Sequence, residues 1–553
     1  MTTYRKIFLK KLTCSLILVF IFLITLTGYA EVKPPVSGEK VNLSIIPFPS
    51  KIEKKVGFFV LTNKIEIKTD PTERITGEQL ATFLRPATGY ALLVNEGMNG
   101  DGIILKTSTE LKTLGEEGYR LAVSPSKIEI TAFKSAGLFY GVQTLRQLLP
   151  AESFSSTLVA GTEWKVPCVD IEDVPRFSFR GMMLDTGHDF QTKQTILRYL
   201  DLISLHKFNV FHWHITDLGT WPLEIKKYPK LLDPSTRAPG VKQGHFTQEE
   251  VREIIEYARK LHITVVPEVD MPSHVLPVLV AYPELDCPDN EKSNPNGQFC
   301  VGNEEVFTFC ENVLSEVCDL FPSSYVHIGA DEVRAPQWAT CWQCKILKNK
   351  LRFKIEKELE NYFIRRMADF LKSKGKKMIG WDEIVQDGLE LPSNAVVMAW
   401  HGQKKGILAA QKGHEVIMSP NMACYFSHGQ TTNPNEINGK ACMMVIKDGK
   451  NTNSRPMTGT YAFDPTMGMH ELAGKILGGV GHMWTDMHPA ADDIDAFVFP
   501  RAAALSEVLW TPMELKDYSN FLDRLQIHFR RLDLLGVHYF GSAKFPNVES
   551  KAK

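Results

Sequence analysis

From Phe177 onward, short apolar runs alternate with amphipathic stretches in a strand-then-helix rhythm. The runs Gly181-Met-Met-Leu-Asp185, Asn209 to Ile215, Ile263 to Val269 and Val326-His-Ile328 predict strands, as do Lys377-Met-Ile-Gly-Trp381, Ala395 to Trp400, Glu415-Val-Ile-Met418 and Gly478 to Trp484. Apolar positions at helical spacing predict helices between most of them, notably over 193–206, 247–261, 306–320 and 354–373. Strands that alternate with helices pair in parallel, and this number closes an α/β (β/α)8 TIM barrel, assigned to residues 176–545. Ahead of it, 42–165 reads as a small α+β domain. Strands are expected at Phe58 to Leu61, Ile65 to Lys68, Gly102 to Lys106 and Lys127 to Ala132, with helices over 77–85 and 137–149. Residues 151–177, rich in proline and charge, read as a connector.

Composition narrows the partners. At 553 residues and 44% hydrophobic, the chain can bury a large core in more than one domain. A net charge of -1 gives no electrostatic reason to expect nucleic acid or an acidic membrane surface. Arg5, Lys6, Lys10 and Lys11 precede an apolar run and Gly28-Tyr29-Ala30, the pattern of a cleavable signal over residues 1–30. Export is the expectation, to a periplasmic, extracellular or lysosomal-type compartment, without stable membrane insertion after signal removal. Homo-oligomerisation stays open.

Ten cysteines leave an odd number once Cys14 departs with the signal. Cys287 with Cys300, and Cys424 with Cys442, flank loops that a disulfide could close. Cys341-Trp-Gln-Cys344 reads as a short-loop disulfide or half a metal site. No second Cys-x-x-Cys or histidine pair at zinc spacing follows, which argues against a metal.

The predicted strand ends carry the chemistry. In order they deliver Asp185, His212/His214/Asp217, Glu268/Asp270/His274, Asp331/Glu332, Trp381/Asp382/Glu383, Trp400 and Trp484/Asp486. A parallel barrel builds its active site at this face. Within Tyr325-Val-His-Ile-Gly-Ala-Asp-Glu-Val333, adjacent carboxylates inside a strand would leave one charge in an apolar layer. They belong at the strand end, both facing a cleft. His212 and His214 share a strand face, which suggests metal ligands or packed, hydrogen-bonded histidines.

Arg180-Gly-Met-Met-Leu-Asp185, His212-Trp-His-Ile-Thr-Asp217, Pro267-Glu-Val-Asp-Met-Pro-Ser-His274, His327-Ile-Gly-Ala-Asp-Glu332, Gly380-Trp-Asp-Glu383 and Phe499-Pro-Arg501 resemble the β-N-acetylhexosaminidases of glycoside hydrolase family 20. The region 42–150 looks like the small domain preceding the barrel in that family. The resemblance implies an exo-acting retaining hydrolase of terminal β-linked N-acetylhexosamine in a glycan, in which the substrate's acetamido oxygen is the nucleophile. It implies no cofactor and no metal. Glu332 would be the general acid and then base, its pKa raised by burial and like charge, while Asp331 would orient the acetamido group. Arg180, Asp217, His274 and Asp486 would hold the sugar, Trp381, Trp400 and Trp484 would wall it, and Tyr425 would bond the acetamido oxygen. Leu218, Gly187-His188-Asp189, Ser427 and Asp486 depart from the family pattern. Residues 428–457 read as an insertion, either part of an aglycone subsite or a surface insert. Two other classes remain: a metal-assisted hydrolase, and a barrel that only binds glycans.

Overall fold

In a computed structural model of the chain the described residues are 43–288, 297–386, 388–441 and 445–546. The expected signal, Cys14 and Cys442 lie outside them. Among the described residues no helix is long and apolar enough to cross a membrane.

The small domain is one mixed sheet. Its strands are β1 (Lys51–Val60), β2 (Ile67–Thr69), β3 (Val94–Glu96), β4 (Gly102–Thr107), β5 (Tyr119–Val123), β6 (Lys127–Ala132) and β7 (Lys165–Asp173). They lie in the order β1-β7-β5-β6-β4-β2-β3. Helices α1 (Arg74–Thr88) and α2 (Ser135–Leu148) pack on it. From Gly137 to Leu148 every residue of α2 is buried, so its polar groups bond inward: Gln147 exchanges two hydrogen bonds with the backbone of Ile46, at 2.9 and 2.7 Å.

β3, β5 and β7 are strands that the apolar pattern did not announce, and β7 carries the small domain beyond residue 165. The supposed connector hides a strand because Lys165, Asp170 and Glu172 stay partly exposed among the buried Val166, Cys168, Val169 and Ile171. Its last residue welds the domain to the barrel. Buried Asp173 accepts from Lys207 Nζ at 2.9 Å, from Tyr119 OH at 2.7 Å and from Trp510 Nε1 at 2.9 Å.

The barrel strands are β8 (Phe179–Asp185), β9 (Val210–Thr216), β10 (Thr264–Val269), β11 (Tyr325–His327), β12 (Lys377–Trp381), β13 (Val396–Ala399), β14 (Glu415–Met418) and, after a two-stranded hairpin of β15 (Ile446–Lys447) and β16 (Lys450–Asn451), β17 (Ile476–Met483). Parallel pairing runs around the ring, and β17 against β8 closes it. All eight runs read from the sequence are barrel strands. Helices such as Lys193–Leu205, Gln248–Lys260, Glu304–Leu320 and Lys357–Ser373 cover the outside. Phe179, Met183, Val210, Val266, Ile379, Val396, Met398, Ile417 and Val480 fill the interior. Toward the C-terminal strand ends the lining turns polar.

The insertion between β14 and β17 is packed. Glu436 accepts the backbone N–H of Gln430 and, at 2.8 Å, that of Thr431, and Gln430 Nε2 donates to Ala496 O at 2.8 Å. Arg501, fully buried, donates to the carbonyls of Phe426, His428 (3.0 Å) and Arg455 (2.9 Å). The arginine of the Phe499-Pro-Arg501 motif therefore clamps the loop that carries Tyr425.

Candidate active site

The acid pair sits where β11 ends. Gly329, Ala330 and Glu332 have φ of 66°, 64° and 50°, so the chain turns through left-handed conformations just past the last ladder pair. The two non-glycine residues hold that geometry at a cost of about 1–2 kcal/mol each. Glycine is needed at 329 because a Cβ there would lie 2.2 Å from Asp270 Oδ1. The turn aims both carboxylates into one cleft, and Ser273 Oγ donates to the carbonyl of Asp331.

A chain of histidines and acids lies beneath. His274, itself at φ 59°, places Nδ1 2.8 Å from Asp217 Oδ1, with Nε2 3.6 Å from both Asp331 Oδ2 and Glu332 Oε2. His214 Nε2 lies 2.9 Å from Asp217 Oδ2, and its Nδ1 lies 2.7 Å from Glu268 Oε2. Glu268 also meets His212 Nε2 at 2.7 Å and His327 Nδ1 at 2.8 Å. The contacts of His274 and His214 are hydrogen bonds, whereas those of Glu268 with His212 and His327 are close approaches without hydrogen-bond geometry. Of the histidine pair on β9, His214 is hydrogen-bonded through both ring nitrogens, to Asp217 and Glu268.

Electrostatics make the two acids unequal. Burial drives the Asp331 carboxyl up, reinforced by Glu268 and Asp217 against the pull of His274. Glu332 goes the other way: the neighbouring His274 imidazole, 3.6 Å away, holds it below the usual carboxylate range, opposed by partial burial. This corrects the expectation of a raised Glu332, whose side chain is 54% exposed and so too weakly desolvated to outweigh His274. Burial opposes charge on His274, but Asp217 and Asp331 overcome it and hold the imidazole well above its ordinary value. Asp217 is driven well down by His188 and His274 despite burial.

Aromatic rings form the walls. Trp400 stacks on Tyr425 with centroids 5.9 Å apart and planes at 12°, and Trp484 lies 5.8 Å from Tyr425 and 6.1 Å from Trp381. Trp400 Nε1 donates to Glu383 Oε2 at 3.0 Å, and Asp382 accepts the backbone N–H groups of Trp400 and His401. Burial and Asp331 push Glu383 up to about 8. Asp331 Oδ1 and the Trp381 and Trp484 indole N–H groups are buried without a hydrogen-bond partner. Such groups cluster where a polar ligand completes the set. Asp486 is half-buried, two residues beyond Trp484.

One candidate is elsewhere. Arg180 is the second residue of β8, at the barrel end remote from Asp185, and is 1% exposed. Its guanidinium grips Glu117 of the small domain through two bonds of 2.7 and 2.8 Å and donates to the carbonyls of Lys207 and Phe177. No donor reaches the cleft, so its role as a sugar ligand is withdrawn. His188, noted in the sequence only as a departure, takes a place there instead. Its Nδ1 lies 2.9 Å from Asp185 Oδ2 and 3.2 Å from Asp217 Oδ2, and its ring meets Trp484 edge-on. Against burial, Asp217 and Asp185 push it up to about 9. The signal was available: a histidine three residues beyond the Asp that ends the first barrel strand.

A closed barrel with a carboxylate pair at a strand end, ringed by tryptophan and tyrosine, is the site of a glycosidase. Comparison with known proteins agrees. Residues 177–513 match the catalytic domain of glycosyl hydrolase family 20, and 42–174 match that family's domain 2. The chain belongs to glycosyl hydrolase family 20. It is 36% identical over 541 residues to a beta-hexosaminidase of Porphyromonas gingivalis, spanning 93% of this chain and 67% of that one. Among solved structures, a beta-N-acetylhexosaminidase of Bacteroides fragilis is 33% identical with a TM-score of 0.77, covering 90% of this chain and 96% of that one. A Streptomyces plicatus beta-hexosaminidase mutant in complex with the product GlcNAc is 29% identical with a TM-score of 0.79, covering 91% and 98%.

Proposed function

We propose that this chain removes terminal non-reducing β-linked GlcNAc or GalNAc through a substrate-assisted, retaining mechanism. The observation that carries this reading is the placement of Asp331 and Glu332 as neighbours on one strand end. Retaining enzymes with a protein nucleophile set two carboxylates about 5–5.5 Å apart on opposite sides of the bond. Neighbours approaching from one side suit a reaction whose nucleophile comes from the substrate.

In this reading the acetamido oxygen attacks the anomeric carbon while Glu332 gives its proton to the departing glycosidic oxygen. The C1–O bond breaks and an oxazolinium ion forms. Asp331, buried with one oxygen unpartnered, accepts the acetamido N–H and balances the positive charge on that nitrogen. Tyr425 bonds the acetamido oxygen, and Trp381, Trp400 and Trp484 enclose the methyl group and sugar face. Glu332 then takes a proton from water, which adds to C1 and reopens the ring. Sugar binding covers the exposed Glu332 and favours its protonated form. Asp217 and His274 set the charge beneath the acids, with Asp486 toward the distal hydroxyls.

Hydrolysis of nitrophenyl β-GlcNAc, β-GalNAc and β-glucoside tests this, with Glu332→Gln as control. The two acetamido sugars should turn over and the glucoside should not; equal rates on the glucoside sink the substrate-assisted mechanism. Export belongs to the same proposal, supported by the basic and apolar N-terminal pattern, and sequencing the mature N-terminus checks it. A mature chain starting within the first few residues would count against it.

A further inference from the structure

Four cysteines that the active site does not use converge on one point. Cys287 and Cys300 come from the long segment after β10, while Cys341 and Cys344 open the helix Trp342–Lys350, as its N-cap and third residue. All four are buried, and their sulfurs lie within 4.8 Å of one another. The Sγ–Sγ separations are 3.6 Å for Cys300–Cys341, 3.8 Å for Cys300–Cys344 and 4.0 Å for Cys287–Cys344. Four thiolates at about 2.3 Å from a zinc ion in a tetrahedron stand about 3.8 Å apart. We propose that Cys287, Cys300, Cys341 and Cys344 form a structural zinc site in this protein.

The surroundings suit thiolates. The backbone N–H of Gly302 donates to the Cys300 sulfur, and that of Cys344 to the Cys341 sulfur. Such N–H···S bonds spread the charge of a coordinated sulfur. Cys341 and Cys344 sit in the first turn of their helix, where the backbone dipoles favour negative charge. The Gln343 Oε1 lies 3.2 Å from the Cys300 sulfur and accepts from its thiol when that sulfur carries a proton. Packing brings the two halves together without slack: a Cβ on Gly302 would fall 2.2 Å from the backbone carbon of Gln343. Sequence reading disfavoured a metal because no second Cys-x-x-Cys exists. The second pair is a looser Cys-x12-Cys that only the fold brings to the first.

With four protein ligands the site has no open position and is structural, not hydrolytic. Its place explains its use. Gln298 accepts from Arg334 N at 2.7 Å and Trp338 Nε1 donates to Phe299 O at 2.9 Å, joining the cysteine-bearing segment to the chain just after Glu332. Val275 N donates to Gly297 O at 3.0 Å, joining the same segment to His274's neighbour. Zinc would staple the loops that carry His274 and the acid pair.

The test uses the full chain purified without added metal or chelator. Metal analysis should find about one zinc per chain. Four thiols should resist a thiol reagent in the native protein and react as zinc is released on denaturation. Cobalt exchange should give the absorption of a tetrahedral thiolate centre. Cys344→Ser should lose the metal and Cys318→Ser, half-buried on another helix, should keep it. Should Cys344→Ser not fold, the zinc count and cobalt spectrum of the parent decide the matter. Two disulfides mapped to these four residues, or no zinc after reduction and reconstitution with zinc salt, overturn the proposal. None of these readouts depends on glycoside hydrolysis.

Discussion

Arg180→Ala separates structure from sugar binding. The arginine is 1% exposed, and all three of its guanidinium nitrogens are engaged: Nε at 2.9 Å from Lys207 O, Nη1 at 2.7 Å from Glu117, and Nη2 at 2.8 Å from the same carboxylate. The ring face of Trp510 lies 4.8 Å beneath it. Removing one partner of a buried ion pair costs about 3–5 kcal/mol because the other charge is stranded. Glu117 keeps 22% of its side chain exposed and retains Asn209 Nδ2 at 2.9 Å, so the loss should fall near about 3 kcal/mol. Denaturant unfolding of Arg180→Ala, Glu117→Gln and the double variant should show comparable single losses that do not add, the mark of a coupled pair. In folded enzyme, KM for nitrophenyl β-GlcNAc should stay at the parent value. A rise of about tenfold in KM, or 1.4 kcal/mol, with an unchanged unfolding midpoint would return Arg180 to the substrate and refute this account.

Three further outcomes follow from the cleft. Asp331→Asn should cost on the order of 10²-fold or more in kcat with little change in KM, because it removes charge that acts on the oxazolinium-like transition state; an effect confined to KM would contradict that role. Gly329→Ala forces a Cβ to 2.2 Å from Asp270 Oδ1 in a left-handed turn, so it should lower both stability and kcat, and full activity would show that the turn relaxes freely. His188 has a folded pKa raised to about 9, above its ordinary 6.5, so its stabilisation is complete below about 6.5 and is lost as pH rises through about 9. The unfolding free energy of the parent should exceed that of His188→Gln by on the order of 3 kcal/mol at the acidic side and converge with it by about pH 10. A difference independent of pH would place the effect in packing.

The sequence made the barrel legible because the strands are short apolar runs and all but Glu415-Val-Ile-Met418 lead into an acid, histidine or tryptophan, a polarity that marks the catalytic face. The same rule, applied to position within a strand, would have kept Arg180 out of the site. It precedes Asp185 by five residues, about 17 Å along an extended chain. The match of Arg180-Gly-Met-Met-Leu-Asp185 to a family motif obscured that arithmetic, since the motif runs the length of the strand and its two ends serve different purposes. β7 was missed for another reason. A strand between a solvent face and a core carries charge at every outward position, and with a proline in it this pattern passes for a linker. The four-cysteine cluster was beyond reach, because Cys287, Cys300 and the Cys341–Cys344 turn meet only through the packing of two barrel loops.

The charge inventory of the cleft also revises how the acid pair divides its work. Asp331 lies deep, pressed upward by burial and by the acids behind it, whereas Glu332 stands at the mouth and is held low by His274. His274 in turn is raised by Asp217 and Asp331, so one imidazolium is shared among three carboxylates. A general acid must begin its cycle protonated, and the open cleft does not provide that state by itself. In the proposed mechanism an arriving sugar would remove water from Glu332, and its acetamido group would engage Asp331. The first change favours a proton on Glu332 by desolvation. In this account Glu332 is armed by the burial that a bound sugar brings, and a sugar lacking the acetamido group would fail because it brings no nucleophile.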